Sequence, residues 1–205
     1  MCERPDFERA QNTATELLLH QDITSFFIDV RNFRLDKPIK IDSVQNYAKV
    51  VMKPITDFTC NEFSGCCVIL HPSCNLILYD DEEPNECRKH WGIAHEVGHI
   101  YLGHTADGEK EEKEAHFFTA QVAMPEIVLH NLEARCNGID PYEISKVFNA
   151  SFDSACRRLD TFQRRGCFSS STRDKLLLSK FRPLLDEMYP PEGSNKKFWD
   201  MVYSA

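Results

Sequence analysis

Residues 95–99 read His95-Glu96-Val97-Gly98-His99, an H-E-x-x-H pattern. On a helix, residues four apart stand one turn apart on one face. Both imidazoles therefore reach a single Zn²⁺ at about 2.0–2.1 Å. The glutamate after the first histidine lies beside that face. From there it takes a proton from water on the metal and passes it to a leaving amine. Zinc brings the pKa of such water to about 7, which supplies a nucleophile at neutral pH. For a chain of this length and composition, chance supplies the pattern only about 0.025 times, so it is the first place to look for function.

A zinc hydrolase needs a third protein ligand and one open position. Glu111, Glu112, Glu114 and His116 all follow within 17 residues of His99. A short loop makes the two helices antiparallel neighbours, able to bring one acid over the histidine face. On the second helix Ala115, Phe118 and Val122 form the apolar stripe. Glu114 sits beside that stripe, one turn before Phe118, and is read as the third ligand. Glu111 is its rival, Glu112 is expected to point outward, and His116 is expected to neighbour the site without ligating. Tyr101 and His104 are secondary candidates for donating to a developing oxyanion. At six and nine positions past His95 they point away from its face unless the helix has ended. His20, His71, His90 and His130 read as surface or core residues.

The elements that must position these groups follow from periodicity and punctuation. Phe7, Ala10, Ala14, Leu17 and Leu18 recur at helical spacing between about Asp6 and His20. Ile23 to Val30 reads as a helix continuation or a small strand. Asp42 or Ser43 caps a helix that ends before Pro54. Cys66 to Leu70 and Asn75 to Tyr79 flank His71-Pro72-Ser73-Cys74, a hairpin signature. This hairpin is expected to offer its edge to an extended substrate. Residues 80–86 form a solvated acidic loop. Helices are expected at Glu86–Leu102 (stopped by Gly103), Glu109–Met124, Pro125–Ala134, Pro141–Phe148, Phe152–Phe162 and Thr172–Tyr189, the last broken at Pro183. The 190–194 segment is a flexible break before an aromatic tail, Phe198-Trp199.

The chain has 205 residues, enough to bury a substantial core. No apolar run approaches the roughly 20 residues of a membrane span. The charged first twenty residues do not resemble a signal peptide, so a soluble cytoplasmic protein is expected. Nine cysteines without a C-x-x-C pair read as small packing residues, not as a disulfide or metal framework. Net charge is −8. Residues 1–141 carry net −11, whereas 142–182 carry net +5. An acidic body means that direct nucleic-acid binding is not expected. The basic strip at 142–182 reads as packing helices or as a docking surface for an acidic partner.

The stretch Ile93 to His104 resembles the active-site helix of the ImmA/IrrE metallopeptidases. Their second signature, approximately E-x-E-A-N-x-F-A-x-x-L-L-M-P, is similar to Glu112-Lys113-Glu114-Ala115-His116-Phe117-Phe118 and onward to Met124-Pro125. His116 replaces the Asn, Thr119 the Ala, and Val122-Ala123 the Leu pair. A weaker likeness continues at Ile144 to Leu159, and the whole spans about residues 10–165. The resemblance implies an α+β fold, a mainly helical zincin-like metallopeptidase domain with a small antiparallel sheet beside the H-E-x-x-H helix. It also implies zinc held by His95, His99 and Glu114, with Glu96 as the catalytic base. The expected division is a metallopeptidase domain at 1–135 and a helical segment at 136–205, with one continuous domain also possible. The expected function is cleavage of a regulatory protein, a helix-turn-helix repressor of the kind that controls a phage or mobile element, which would make the chain an anti-repressor. The alternative is a non-catalytic zinc-containing module that holds a transcription factor.

Overall fold

The computed structural model describes residues 4–58, 66–69, 73–106, 108–165 and 170–190. Expectations for Cys60, the 70–72 turn with His71 and Pro72, and the tail from 191 with Phe198-Trp199 lie outside these residues. In chain order the elements are α1 (Phe7–Leu19), β1 (Ile39–Ser43), α2 (Val44–Val51), β2 (Cys66–Ile69), β3 (Asn75–Tyr79), α3 (Glu86–Leu102), α4 (Glu109–Ala123), α5 (Glu126–Cys136), α6 (Pro141–Phe148), α7 (Phe152–Arg165) and α8 (Thr172–Met188). This is a mainly helical α+β fold. Side chains fix the helix starts as the sequence suggests. Asp6, Ser43, Asn85 and Asp140 each accept a hydrogen bond from the backbone N–H three residues on. Ser171 and Asp174 complete a capping box on α8.

Three expectations change. The sheet is mixed, not purely antiparallel: its order is β1-β3-β2, with β2 antiparallel and β1 parallel to β3. The five residues of β1 run straight into α2, so their short alternation gives little signal of its own. With β3 central, β2 is the edge strand of the hairpin among the described residues. The 23–30 segment is neither helix nor strand, although Phe26 and Val30 are buried in the core; a short 3₁₀ turn follows at Val30–Asn32. Helix α8 runs through Pro183 without a break, because the proline lies on its exposed side, where solvent can serve the carbonyl that loses its donor.

One hydrophobic cluster draws on α1, the sheet and every helix from α3 to α8, including Leu18, Ile77, Phe118, Ile144 and Phe181. Helix α3 packs against β2 and β3 as well as α4. A Cβ on Gly98 would stand 2.9 Å from Phe118 Cδ1, so glycine is what allows α3 and α4 to approach here. Gly98→Ala would improve intrinsic helix propensity by about 0.8–1.0 kcal/mol. Overpacking costs about 1–3 kcal/mol, so we expect net destabilisation, read as a lower Tm. An unchanged or raised Tm would show that Phe118 yields freely.

Among the described residues, no helix is long and apolar enough to cross a membrane. Of the described cysteines, Cys66 is buried against Gly92, while Cys74, Cys87, Cys136 and Cys156 are free and only half-buried.

A candidate metal centre

Helix α3 starts at its Asn85 cap and stops at Gly103, whose φ of 67° suits a residue without a side chain. Cationic side chains anchor that C-terminal end. Lys37 Nζ donates to the Ile100 carbonyl at 2.7 Å, and Arg9 donates to the Leu102 carbonyl. Both satisfy carbonyls that the helix leaves open and complement its dipole. The last two turns of α3, which carry His95 and His99, are thereby held in place.

On this helix His95 Nε2 and His99 Nε2 converge to 3.1 Å. Glu112 of α4 closes the group, with Oε2 3.2 Å from His95 Nε2 and Oε1 3.2 Å from His99 Nε2. These three residues form the candidate metal cluster among the described residues. Bonds of about 2.0–2.1 Å in a tetrahedral centre place ligand atoms about 3.3–3.4 Å apart. The observed separations are close to that edge length. Burial, then the rings of His116, His99 and His104, push the His95 pKa down to about 3, so its imidazole is neutral near pH 7. Its Nδ1 is buried without a hydrogen-bond partner. His95 Nε2, His99 Nε2 and the Glu112 carboxylate converge on one point, an arrangement that a cation would bridge. The donor set fits zinc.

The structure thus brings together His95, His99 and Glu112, whereas the sequence points to Glu114. Glu114 is 1% exposed and faces elsewhere. Its Oε1 accepts from the Asp6 backbone N–H at 2.8 Å, and its Oε2 lies 3.1 Å from His104 Nε2. Its rival Glu111 folds its carboxylate back over Gly108. Glu112, expected to point outward, stands on the half-exposed rim of α4 within reach of both histidines. The available signal was that Glu112 and His116 stand four residues apart on one face.

His116 is exposed, its ring centroid 4.4 Å from that of His95. Glu96 is half-buried on α3 beside the histidine face. Tyr101 turns away, its hydroxyl donating to Asp36 Oδ1 at 2.5 Å; burial first, then Asp36, raises its pKa. His90 is buried at 8% exposure against Asp29, Arg31 and Phe27.

Because α3 ends at Gly103, His104 swings back, and its Nδ1 lies 3.1 Å from His99 Nδ1. Glu114, His104 and His99 therefore form a chain behind the metal face. Partners of this kind orient a ligand histidine, and their loss costs about 10–100-fold in metal affinity. We expect His104→Ala to weaken zinc by that factor, measured by chelator competition. An unchanged affinity would reduce this chain to packing.

Two histidines a turn apart on one helix, with a carboxylate from the next, on a mainly helical α+β scaffold, are the arrangement of a metallopeptidase-type domain. Residues 69–160 match the Peptidase_M78 family, described as the IrrE N-terminal-like domain. Residues 69–160 are thus similar to the IrrE N-terminal-like domain, in agreement with the ImmA/IrrE resemblance. Neither the curated proteins nor the solved structures gave a match.

Proposed function

We propose that the protein is a zinc-dependent endopeptidase that acts in the cytoplasm on a regulatory protein, a helix-turn-helix repressor. The carrying observation is the convergence of His95, His99 and Glu112 at 3.1–3.2 Å. These residues would hold the metal, with His104 and Glu114 orienting His99. Bound zinc would supply Lewis-acid polarisation of the scissile carbonyl and lower the pKa of water to about 7. Glu96 serves as the base that accepts the proton of the attacking water and returns it to the leaving amine. The β2 edge, which has no further strand beside it among the described residues, would offer backbone groups to an extended peptide. The basic helix α7, carrying Arg157 and Arg164 at its surface, provides a docking strip for acidic segments of the substrate.

The test is co-expression with candidate helix-turn-helix repressors, read by intact mass. One defined pair of fragments is expected with the wild type, and intact repressor with Glu96→Gln. An intact repressor held in complex by both proteins would instead support a binding module without catalysis.

A further inference from the structure

A cavity of about 850 Å³ opens beside the metal centre, walled by α3, α4 and α7. This lies within the range of small-ligand sites, about 300–1,000 Å³. Its apolar lining includes Phe27, Trp91, Phe117 and Phe148. His116 also lines it, so the cavity reaches the ring that flanks His95.

The basic residues Arg88, Lys113, Arg157, Arg158, Arg164 and Arg165 line this cavity, against one acid, Asp153. Five of the six are paired: Arg88 with Glu83, Lys113 with Glu109, Arg157 with Asp153, Arg164 with Asp160 and Arg165 with Glu126. Among the described residues, Arg158 has no such partner. It is 2% exposed, and its Nε donates to the Met124 carbonyl at 2.9 Å. Its Nη1 and Nη2 are buried with no hydrogen-bond partner. Glu126 Oε2 is already taken by Gln121 and Arg165. Burial pushes the Arg158 pKa down to about 10, with Glu126 opposing and Arg165 reinforcing, so it stays charged at neutral pH.

A buried charge is costly unless it is paired and hydrogen-bonded. The open end of a guanidinium matches a carboxylate, which accepts two parallel N–H bonds. We propose that this cavity binds a small monocarboxylate with an apolar body, its carboxylate on Arg158 and its body among Phe27, Trp91, Phe117 and Phe148. The buried polar demand is a single anionic group, because Arg158 is the lining cation whose Nη1 and Nη2 donors are buried without a partner among the described residues. A single peptide side chain would leave most of the volume empty, which favours a free small acid.

Isothermal titration of the full chain with decanoate, 1-decanol and decylamine, each below its aggregation threshold, tests this. One decanoate is expected to bind, at least about tenfold more tightly than either analogue, a margin consistent with one charge-assisted pair. Arg158→Met should erase that preference. Joint Arg157→Gln and Arg164→Gln should change decanoate affinity by less than about threefold, since both are exposed and paired. Should Arg158→Met fail to fold, Arg158→Lys keeps the charge, loses the fork, and should weaken decanoate by about tenfold. Ala120→Trp, which fills the cavity from α4, should abolish binding. The proposal fails if decanol matches decanoate, if the preference survives in Arg158→Met, if the Arg157/Arg164 pair carries it, or if Ala120→Trp still binds.

Discussion

Glu96→Gln will lower peptide-bond cleavage by about 10²–10⁴-fold while leaving zinc stoichiometry unchanged, the range for loss of a positioned general base. The substitution keeps the shape and hydrogen-bonding length of the side chain but removes its ability to accept and return a proton at neutral pH. His95, His99 and Glu112 are untouched, so the donors that converge at 3.1–3.2 Å remain in place. The loss should fall on kcat with KM little altered, because Glu96 acts on the reacting atoms and not on the bound peptide. A structural role for Glu96 would instead lower Tm and zinc content together. Full cleavage by the zinc-loaded variant would remove Glu96 from the mechanism.

What the sequence reveals of this site depends on how far each feature is local. His95, Glu96 and His99 lie on one helix, whose cap at Asn85 and stop at Gly103 are local signals, so their shared face follows from spacing alone. The choice between Glu112 and Glu114 is not local, since it depends on how α4 is rotated against α3. The acid nearest the apolar stripe would face the metal only if that stripe and the histidine pair shared one side of α4. In the structure the buried direction at Glu114 points toward the start of α1 and His104, while the histidine pair faces the half-exposed rim where Glu112 and His116 stand. His104 is legible only through Gly103, which ends the helix and lets the chain turn back. Strand β1 was hidden for a related reason. Its five residues gain their meaning from pairing with β3, more than thirty residues away.

Glu112→Ala will cost more zinc affinity than the roughly 10–100-fold expected for supporting residues, because it removes a direct donor. With zinc at 1,000 times the wild-type Kd, bound metal stabilises the fold by about 4.1 kcal/mol. A 100-fold weaker site would leave about 1.4 kcal/mol, so most of the zinc-induced rise in Tm should disappear. Glu112 is 42% exposed at its side chain, so solvent takes over what its carboxylate leaves, and its removal should change the apo Tm little. Glu114→Ala provides the contrast. It strands the Asp6 N–H and His104 Nε2, the latter on a residue whose side chain is 6% exposed. The buried His104 Nε2 left unpaired costs about 1–3 kcal/mol, so Glu114→Ala should lower the apo Tm before zinc is considered. The two variants therefore separate along two axes, zinc response for Glu112 and apo stability for Glu114. The reverse pattern, with zinc lost in Glu114→Ala and kept in Glu112→Ala, would return the third ligand to Glu114 and require α4 to rotate when metal binds.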